Sequence, residues 1–280
     1  MVIQPLDSAD NKMIRRIKRL NTSRQARIKS NATVVEGGRL LEEALAAGFQ
    51  PQLVVYSPKW VERVEGRAML TRLQARSTSL FYVTDRLFEE LSQVETPQGI
   101  LAVISLPRSV TLGDLLDKSP QPLLFPIALG IQDPGNLGTL MRAALAAGAH
   151  ALGVASGTVE AFNPKCLRAS AGAAFRLPVV SLDEGWPDVL RTAGVTIRTT
   201  AVDRGLPYHQ ADWTGSTALV LGNEGNGLDP AWYRDTEVVT IPMSPASESL
   251  NVSMAGAIVL FHAAFRRQEK GIGFAPPAMV

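Results

Sequence analysis

The sequence predicts an α/β protein built from two units. Strand-like and helix-like segments alternate over residues 33–104, and a second alternation begins at Leu123. Four prolines between Pro107 and Pro126 separate the two runs and predict a linker. Hydrophobic residues make up 46% of the chain and charged residues 19%, enough apolar material for packed cores and too little charge for a disordered chain. The boundaries read as 1–106 for the first domain, 107–121 for the linker and 122–280 for the second domain.

The first element is basic. Residues 11–35 hold Lys12, Arg15, Arg16, Lys18, Arg19, Arg24, Arg27 and Lys29 and no acidic residue. Ile14, Ile17 and Leu20 recur there at helical spacing, so one helix with an apolar stripe is expected. Thr33–Val35 reads as a strand. Gly37-Gly38 opens a turn, and Arg39–Ala47 reads as a helix ending at Gly48. Leu53–Tyr56, Leu80–Val83 and Ile100–Ile104 read as strands, with a helix at Asp85–Leu91. The second run has strands at Pro126–Gly130, Ala151–Ala155, Val195–Thr200, Ala218–Leu221 and Val238–Ile241. Its helices are placed at Gly138–Ala147, Asp188–Ala193 and Ser253–Arg267, and a short one is possible at Leu112–Asp117.

Several function classes are excluded or disfavoured. Net charge is only +2, so the chain is no general polycation, and the basic cluster is a local feature. Clustered Lys and Arg release counterions on meeting a polyanion, which makes this segment a candidate phosphate-contacting surface; the plain reading is a solvated helix face. Cys166 is the one cysteine, so neither a disulfide framework nor a cysteine-rich zinc site is possible. His150, His209 and His262 lie far apart, and no metal is expected. Met1–Asp10 has no apolar core behind a charged start, and the longest apolar stretch, near Ala255–Phe265, is shorter than the about 20 residues a span needs. A soluble, cytoplasmic protein is expected. Neither G-x-G-x-x-G, a P-loop nor G-x-S-x-G occurs.

Chemistry concentrates in three Gly- and Asn-rich segments that follow second-half strands. One is Asp133-Pro134-Gly135-Asn136-Leu137-Gly138, with Arg142 one turn into the helix expected from Gly138. A second is Gly222-Asn223-Glu224-Gly225-Asn226-Gly227-Leu228, where three glycines suggest close approach of backbone to a ligand. The third joins Ile241-Pro242-Met243 to Glu248-Ser249-Leu250-Asn251-Val252-Ser253, where Ser249 or Asn251 can cap the following helix. Each alone reads as a turn. Together they cluster where open α/β sheets bind ligands, at the carboxyl ends of strands.

This trio resembles the three motifs of the SpoU family of RNA ribose 2′-O-methyltransferases, within the SPOUT superfamily. The matching residues are Asn136, Gly138 and Arg142; Gly222–Gly225 with Gly227-Leu228; and Ile241–Met243 with Ser249–Ser253. Asn163-Pro164-Lys165, Arg168-Ala169-Ser170, Gly172 and Phe175–Pro178 resemble the family's intervening segment. Val35-Glu36-Gly37 and Thr96–Ile100 resemble an L30e-like substrate domain. The resemblance implies a three-layer L30e-like domain followed by a trefoil-knotted α/β catalytic domain. It also implies S-adenosylmethionine as methyl donor and a homodimer.

The resemblance assigns catalytic work to Arg142, Asn136, Glu224, Ser249 and Asn251. A guanidinium stays protonated, so Arg142 suits clamping phosphate and a developing alkoxide better than acting as a base. Asn136 is expected to orient Arg142 or the ribose, and Glu224 to hold the arginine or a hydroxyl. The adenosine pocket is expected at Thr200, Ala201, Leu221, Gly222, Asn223, Gly227, Ile241, Met243 and Leu250, read by backbone groups with no ribose-binding acid. RNA is expected on Arg15, Arg16, Lys18, Arg19, Arg24, Arg27, Lys29 and Arg168. Ribosomal RNA, 23S in particular, is favoured over transfer RNA because a substrate domain precedes the catalytic one. A transfer-RNA ribose methyltransferase and a non-catalytic RNA-binding protein of the same fold are the alternatives, and a methyltransferase for a small molecule or protein is disfavoured by the basic segment.

Overall fold

The computed structural model describes residues 6–106, 108 and 110–274. The expectations that fall on Met1–Pro5, Pro107, Ser109 and residues 275–280 lie outside the described residues. Contacts divide the chain into one unit of Met1–Pro107 with Phe162–Arg168 and a second of Arg108–Ala161 with Ala169–Val280.

The first unit opens with two helices, α1 (Lys12–Thr22) and α2 (Arg24–Ser30), where one was expected. Ser23 divides them: it is extended, and its hydroxyl caps α2 by accepting from the Ala26 N–H at 3.2 Å. Ile14, Ile17 and Leu20 are buried as the spacing requires. Then follow β1 (Ala32–Glu36), α3 (Gly38–Ala46), β2 (Pro51–Tyr56), α4 (Pro58–Val61), α5 (Val64–Ala75), β3 (Leu80–Tyr82), α6 (Asp85–Leu91) and β4 (Ile100–Ser105). Strand order is β1-β4-β2-β3, with β4 antiparallel to both neighbours and β3 parallel to β2. Helix α5 was not read from the sequence, because Arg63 at its start gives no side-chain cap and only Met69, Leu70 and Leu73 face inward as large apolar residues.

The second unit begins with α7 (Leu112–Lys118), in the stretch expected to be a linker. Leu115 is fully buried in the second unit's core, and Val110, Leu112 and Leu116 pack around it. The stretch is therefore an integral part of this unit. Next come β5 (Leu124–Ala128), α8 (Pro134–Ala146) and β6 (Leu152–Val154); α9 (Pro164–Ala169) follows in sequence, all but its last residue belonging to the first unit, and then β7 (Val179–Ser181), α10 (Trp186–Thr192), β8 (Thr196–Thr200), β9 (Leu206–Pro207), β10 (Thr217–Leu221), β11 (Glu237–Thr240) and α11 (Val252–Glu269). Seven strands form one parallel sheet in the order β7-β6-β5-β10-β8-β11-β9. Strand β5 starts two residues earlier than expected. Pro126 is tolerated inside it because β6 pairs only with Ile127 and Ala128.

Two devices seat α11. A Cβ at Gly256 would stand 2.7 Å from Leu140 on α8 and 2.9 Å from Leu221 on β10, so only glycine lets the helix lie this close. At the other end the buried Arg267 guanidinium donates to the carbonyls of Trp213, Pro122, Leu123 and Gly215 at 2.7–2.9 Å. Burial pulls its pKa down to about 10, so it stays charged at neutral pH. Among the described residues no helix is long and apolar enough to cross a membrane.

Because Leu115 and its neighbours belong to the second unit's core, a fragment starting at Arg108 should be more stable than one starting at Gln121. Burial of these side chains makes the expected difference about 3 kcal/mol or more, read from urea midpoints of the two fragments.

Candidate active site

The loops after β5, β10 and β11 converge, and the strand order explains why. Strands β6 and β7 extend the sheet on one side of β5, whereas β8, β11 and β9 extend it beyond β10. The β5–β10 junction is thus a switch point, where the loops leaving two neighbouring parallel strands diverge and open a crevice.

Helix α8 begins at Pro134, four residues before the expected start. Asp133 caps it, its carboxylate accepting from the Asn136 N–H at 3.0 Å, and Pro134 at the first helical position suits that start. Arg142 therefore lies two turns into the helix, about 12 Å along the axis, and not one. The loop after β10 folds back on itself. Asn223 and Gly227 exchange backbone hydrogen bonds at 3.0 Å, and Asn223 Oδ1 accepts from the Gly225 and Asn226 N–H groups. A Cβ at Gly222 would stand 2.6 Å from the Gly227 carbonyl carbon, so this glycine admits the loop's own backbone. Asn223 Nδ2 reaches across to the Gly130 carbonyl at 2.9 Å, and Thr158 Oγ1 accepts from the Gly130 N–H at 2.9 Å.

Glu224 ties the first two loops together. Its Oε1 accepts from the Asp133 N–H at 3.0 Å and Asn136 Nδ2 at 3.1 Å, and its Oε2 accepts from the Gln132 N–H at 3.1 Å. Partial burial pushes this carboxyl up, but the two backbone donors and the Asn136 amide outweigh it and hold the group below the usual glutamate value. The third loop joins through Asn251, the N-cap of α11. Its Oδ1 accepts from the Ser253 and Met254 N–H groups at 3.0 and 3.3 Å, and its Nδ2 donates to Asn136 Oδ1 at 2.8 Å.

Beside this network lies a cavity of about 320 Å³. All nine residues expected for adenosine line it: Thr200, Ala201, Leu221, Gly222, Asn223, Gly227, Ile241, Met243 and Leu250. Glu224 and Ser249 line it too, whereas Asn136, Asn251 and Arg142 do not. A second cavity of about 430 Å³ opens elsewhere, at the start of β5 around Leu124, His150 and Arg267, and includes none of these loops.

Several expectations change. Asn136 was expected to orient Arg142 or the ribose and Glu224 to hold the arginine or a hydroxyl; of these, the contact with Arg142 is not made, since the two residues bond to each other and to the loops, and among the described residues nothing is hydrogen-bonded or ion-paired to the exposed Arg142 side chain. Ser249 does not cap α11, because Asn251 takes that position. The lining includes an acid after all: Asp203, hydrogen-bonded at 3.0 Å through both oxygens to Arg204, which holds its carboxyl below the usual range. Its signal was its position just past the end of β8. Tyr233 and Asn226 also line the cavity without having been singled out.

In the first unit Arg27 is no phosphate ligand. It is 2% exposed and donates to the Leu20 carbonyl at 2.6 Å, stapling α2 to the end of α1. Arg15, Arg19, Arg24 and Lys29 are exposed. Arg16 hydrogen-bonds Gln52, and Lys18 pairs with Glu90 at 2.9 Å. Arg168 stands 3.7 Å from the buried carboxylate of Glu36, so part of its charge is engaged within the unit.

Comparison with known proteins agrees with this architecture. Residues 125–261 match the SpoU rRNA Methylase family and residues 11–102 the MRM3-like substrate binding domain. The chain is 35% identical to the 23S rRNA (guanosine(2553)-2'-O)-methyltransferase RlmP of Bacillus subtilis, over 93% of this chain and 99% of that protein. It is 30% identical to the 23S rRNA (uridine(2479)-2'-O)-methyltransferase of Streptomyces viridochromogenes, over 88% and 86%. The crystal structure of an AdoMet-bound rRNA methyltransferase from Sinorhizobium meliloti superposes with a TM-score of 0.79 at 26% identity, covering 93% of this chain and 97% of that one. A cavity at the carboxyl ends of β8, β10 and β11, beside three loops joined through Glu224, Asn136 and Asn251, marks a nucleotide-cofactor enzyme. The chain belongs to the SpoU rRNA methylase family.

Proposed function

We propose that this chain transfers a methyl group from S-adenosylmethionine to a ribose 2′-hydroxyl of 23S ribosomal RNA, in the cytoplasm and without a metal. The observation that carries the reading is the cavity at the carboxyl ends of β8, β10 and β11, with Glu224, Asn136 and Asn251 joining three loops beside it. The lining fits the cofactor: Leu221, Ile241, Met243 and Leu250 give an apolar wall, and Thr200, Asn223 and Asp203 supply polar groups. When bound, S-adenosylmethionine supplies an electrophilic methyl on a sulfonium. The trefoil knot of the family is taken to run through these loops.

The chain's own groups orient the acceptor. Arg142 is exposed and, among the described residues, unpaired, hence available to an incoming phosphate and to the alkoxide that develops at the ribose oxygen. Asn136 and Asn251 each keep one amide proton beyond the network for the nucleotide. Neither an amide nor a guanidinium accepts a proton at neutral pH, so the hydroxyl proton leaves through phosphate or water. Two copies of the chain are taken to pair through α11, where Met254, Ile258, Phe261 and Phe265 are 37–56% exposed at the i, i+4, i+7, i+11 spacing of one helix face.

Calorimetric titration in the presence of a chelator should show S-adenosylmethionine binding. Arg142→Ala should retain that affinity and lose methyl transfer by at least about 100-fold, and Arg142→Lys should also fail, because Lys lacks the planar fork. Loss of cofactor affinity in Arg142→Ala would show that its role is misassigned. For the RNA surface, replacing Arg15, Arg19 and Arg24 by alanine should lower the log–log salt slope of RNA binding by about 0.7–0.9 for every phosphate that the wild-type side chains neutralise. Arg27→Ala should instead lower stability by about 1–3 kcal/mol in urea melts, leaving buried carbonyls unpaired. For the pairing, Phe261→Glu with Phe265→Glu should give the mass of a single chain by light scattering, where the wild type gives twice that mass.

A further inference from the structure

Ser253, on the first turn of α11, is 1% exposed. Its hydroxyl sits between two amide oxygens. It donates to Asn251 Oδ1 at 2.8 Å and stands 3.4 Å from Asn136 Oδ1. The chain of donors then has one direction: from Ser253 Oγ to Asn251, from Asn251 Nδ2 to Asn136 at 2.8 Å, and from Asn136 Nδ2 to Glu224 at 3.1 Å. Every member of this chain after Ser253 stands at or beside the reacting groups of the proposed reaction, whereas Ser253 itself is shut away from solvent.

The hydroxyl is not needed to fold the helix. Asn251 Oδ1 already accepts from two backbone N–H groups and caps α11 without it. A third donor on an oxygen that is already satisfied adds little to stability. What the hydroxyl does add is a bridge behind the Asn136–Asn251 hydrogen bond: it stands within reach of both amide oxygens and so sets the distance between the two amides. Buried polar groups joined this way hold one geometry, because each has its partners only in that arrangement.

We infer that Ser253 is a positioning residue of the methyl-transfer site, acting through the Asn136–Asn251 pair. The inference rests on the proposed methyl transfer. It concerns turnover and not cofactor or RNA affinity, since Ser253 lines neither the cavity nor the basic surface.

The test is a double-mutant cycle on the full chain, with an in vitro transcript of 23S ribosomal RNA and radiolabelled S-adenosylmethionine. Ser253→Ala should lower kcat on the order of tenfold, while KM for RNA, Kd for S-adenosylmethionine and Tm stay near wild type. In an Asn251→Ala background the same change should have no further effect, because the group through which Ser253 acts is gone. A kcat within twofold of wild type, or effects that add in the double variant, would overturn the inference. A readout independent of turnover is hydrogen exchange of the Asn136 and Asn251 side-chain amides by NMR. It should speed up in Ser253→Ala, and unchanged exchange would overturn the inference as well. Absence of any ribose methylation by the wild-type protein would instead overturn the proposed reaction, and the amide exchange would still decide the role of Ser253.

Discussion

Both oxygens of Glu224 are engaged by the segment that follows β5: the Gln132 and Asp133 N–H groups and the Asn136 amide. The carboxylate comes from a different loop, 88–92 residues further along the chain. It sits where the N-terminal end of α8 would otherwise attract an external anion, and it fills that role from inside the molecule. The start of α8 is thereby a structural joint. Arg142, proposed to meet a substrate phosphate, lies two turns away and, among the described residues, has no such partner.

That joint constrains the rest of the unit. With Asn136 held by Glu224 on one side and by Asn251 on the other, the N-termini of α8 and α11 are fixed to each other through side-chain amides. The two helices also pack along their length, with Gly256 admitting Leu140 and Leu221. Arg267 fastens the far end of α11 to Pro122 and Leu123, ahead of β5, and to Gly215, ahead of β10. The sheet, the two helices and the three loops therefore form one braced assembly, fastened at both ends, with the cavity at the carboxyl ends of the strands. A pocket built mostly of short loops gains its rigidity this way.

Legibility in the sequence followed periodicity and chemistry. Strands β2, β4 and β10 were readable because apolar runs of four or five residues are bounded by polar or glycine turns. The lining of the cavity was readable because the loop motifs are compact in sequence and resemble a known family. What stayed hidden depended on three-dimensional partners. Pro134 looked like part of a turn, and its role as the first residue of α8 follows from the Asp133 cap. Arg27 looked like its exposed neighbours; the turn at Ser23 directs it back onto the Leu20 carbonyl. The prolines around α7 suggested a free linker, and Leu115 shows that a proline-rich stretch can carry a core residue. Three-residue β7 and two-residue β9 are edge additions too short for any period to show.

The proposed function gives charge two tasks along the chain. In the first unit, Arg15, Arg19, Arg24 and Lys29 are exposed, as the proposed contacts with a phosphate backbone require. In the second unit, Arg142 is exposed on α8, the helix whose first turn carries the amide network, and its proposed task is to meet charge that develops at one atom. Salt weakens contacts of exposed cations with a phosphate backbone steeply. Arg27 and Glu224 are each hydrogen-bonded within their own unit, Arg27 to the Leu20 carbonyl and Glu224 to the Gln132 and Asp133 N–H groups and the Asn136 amide.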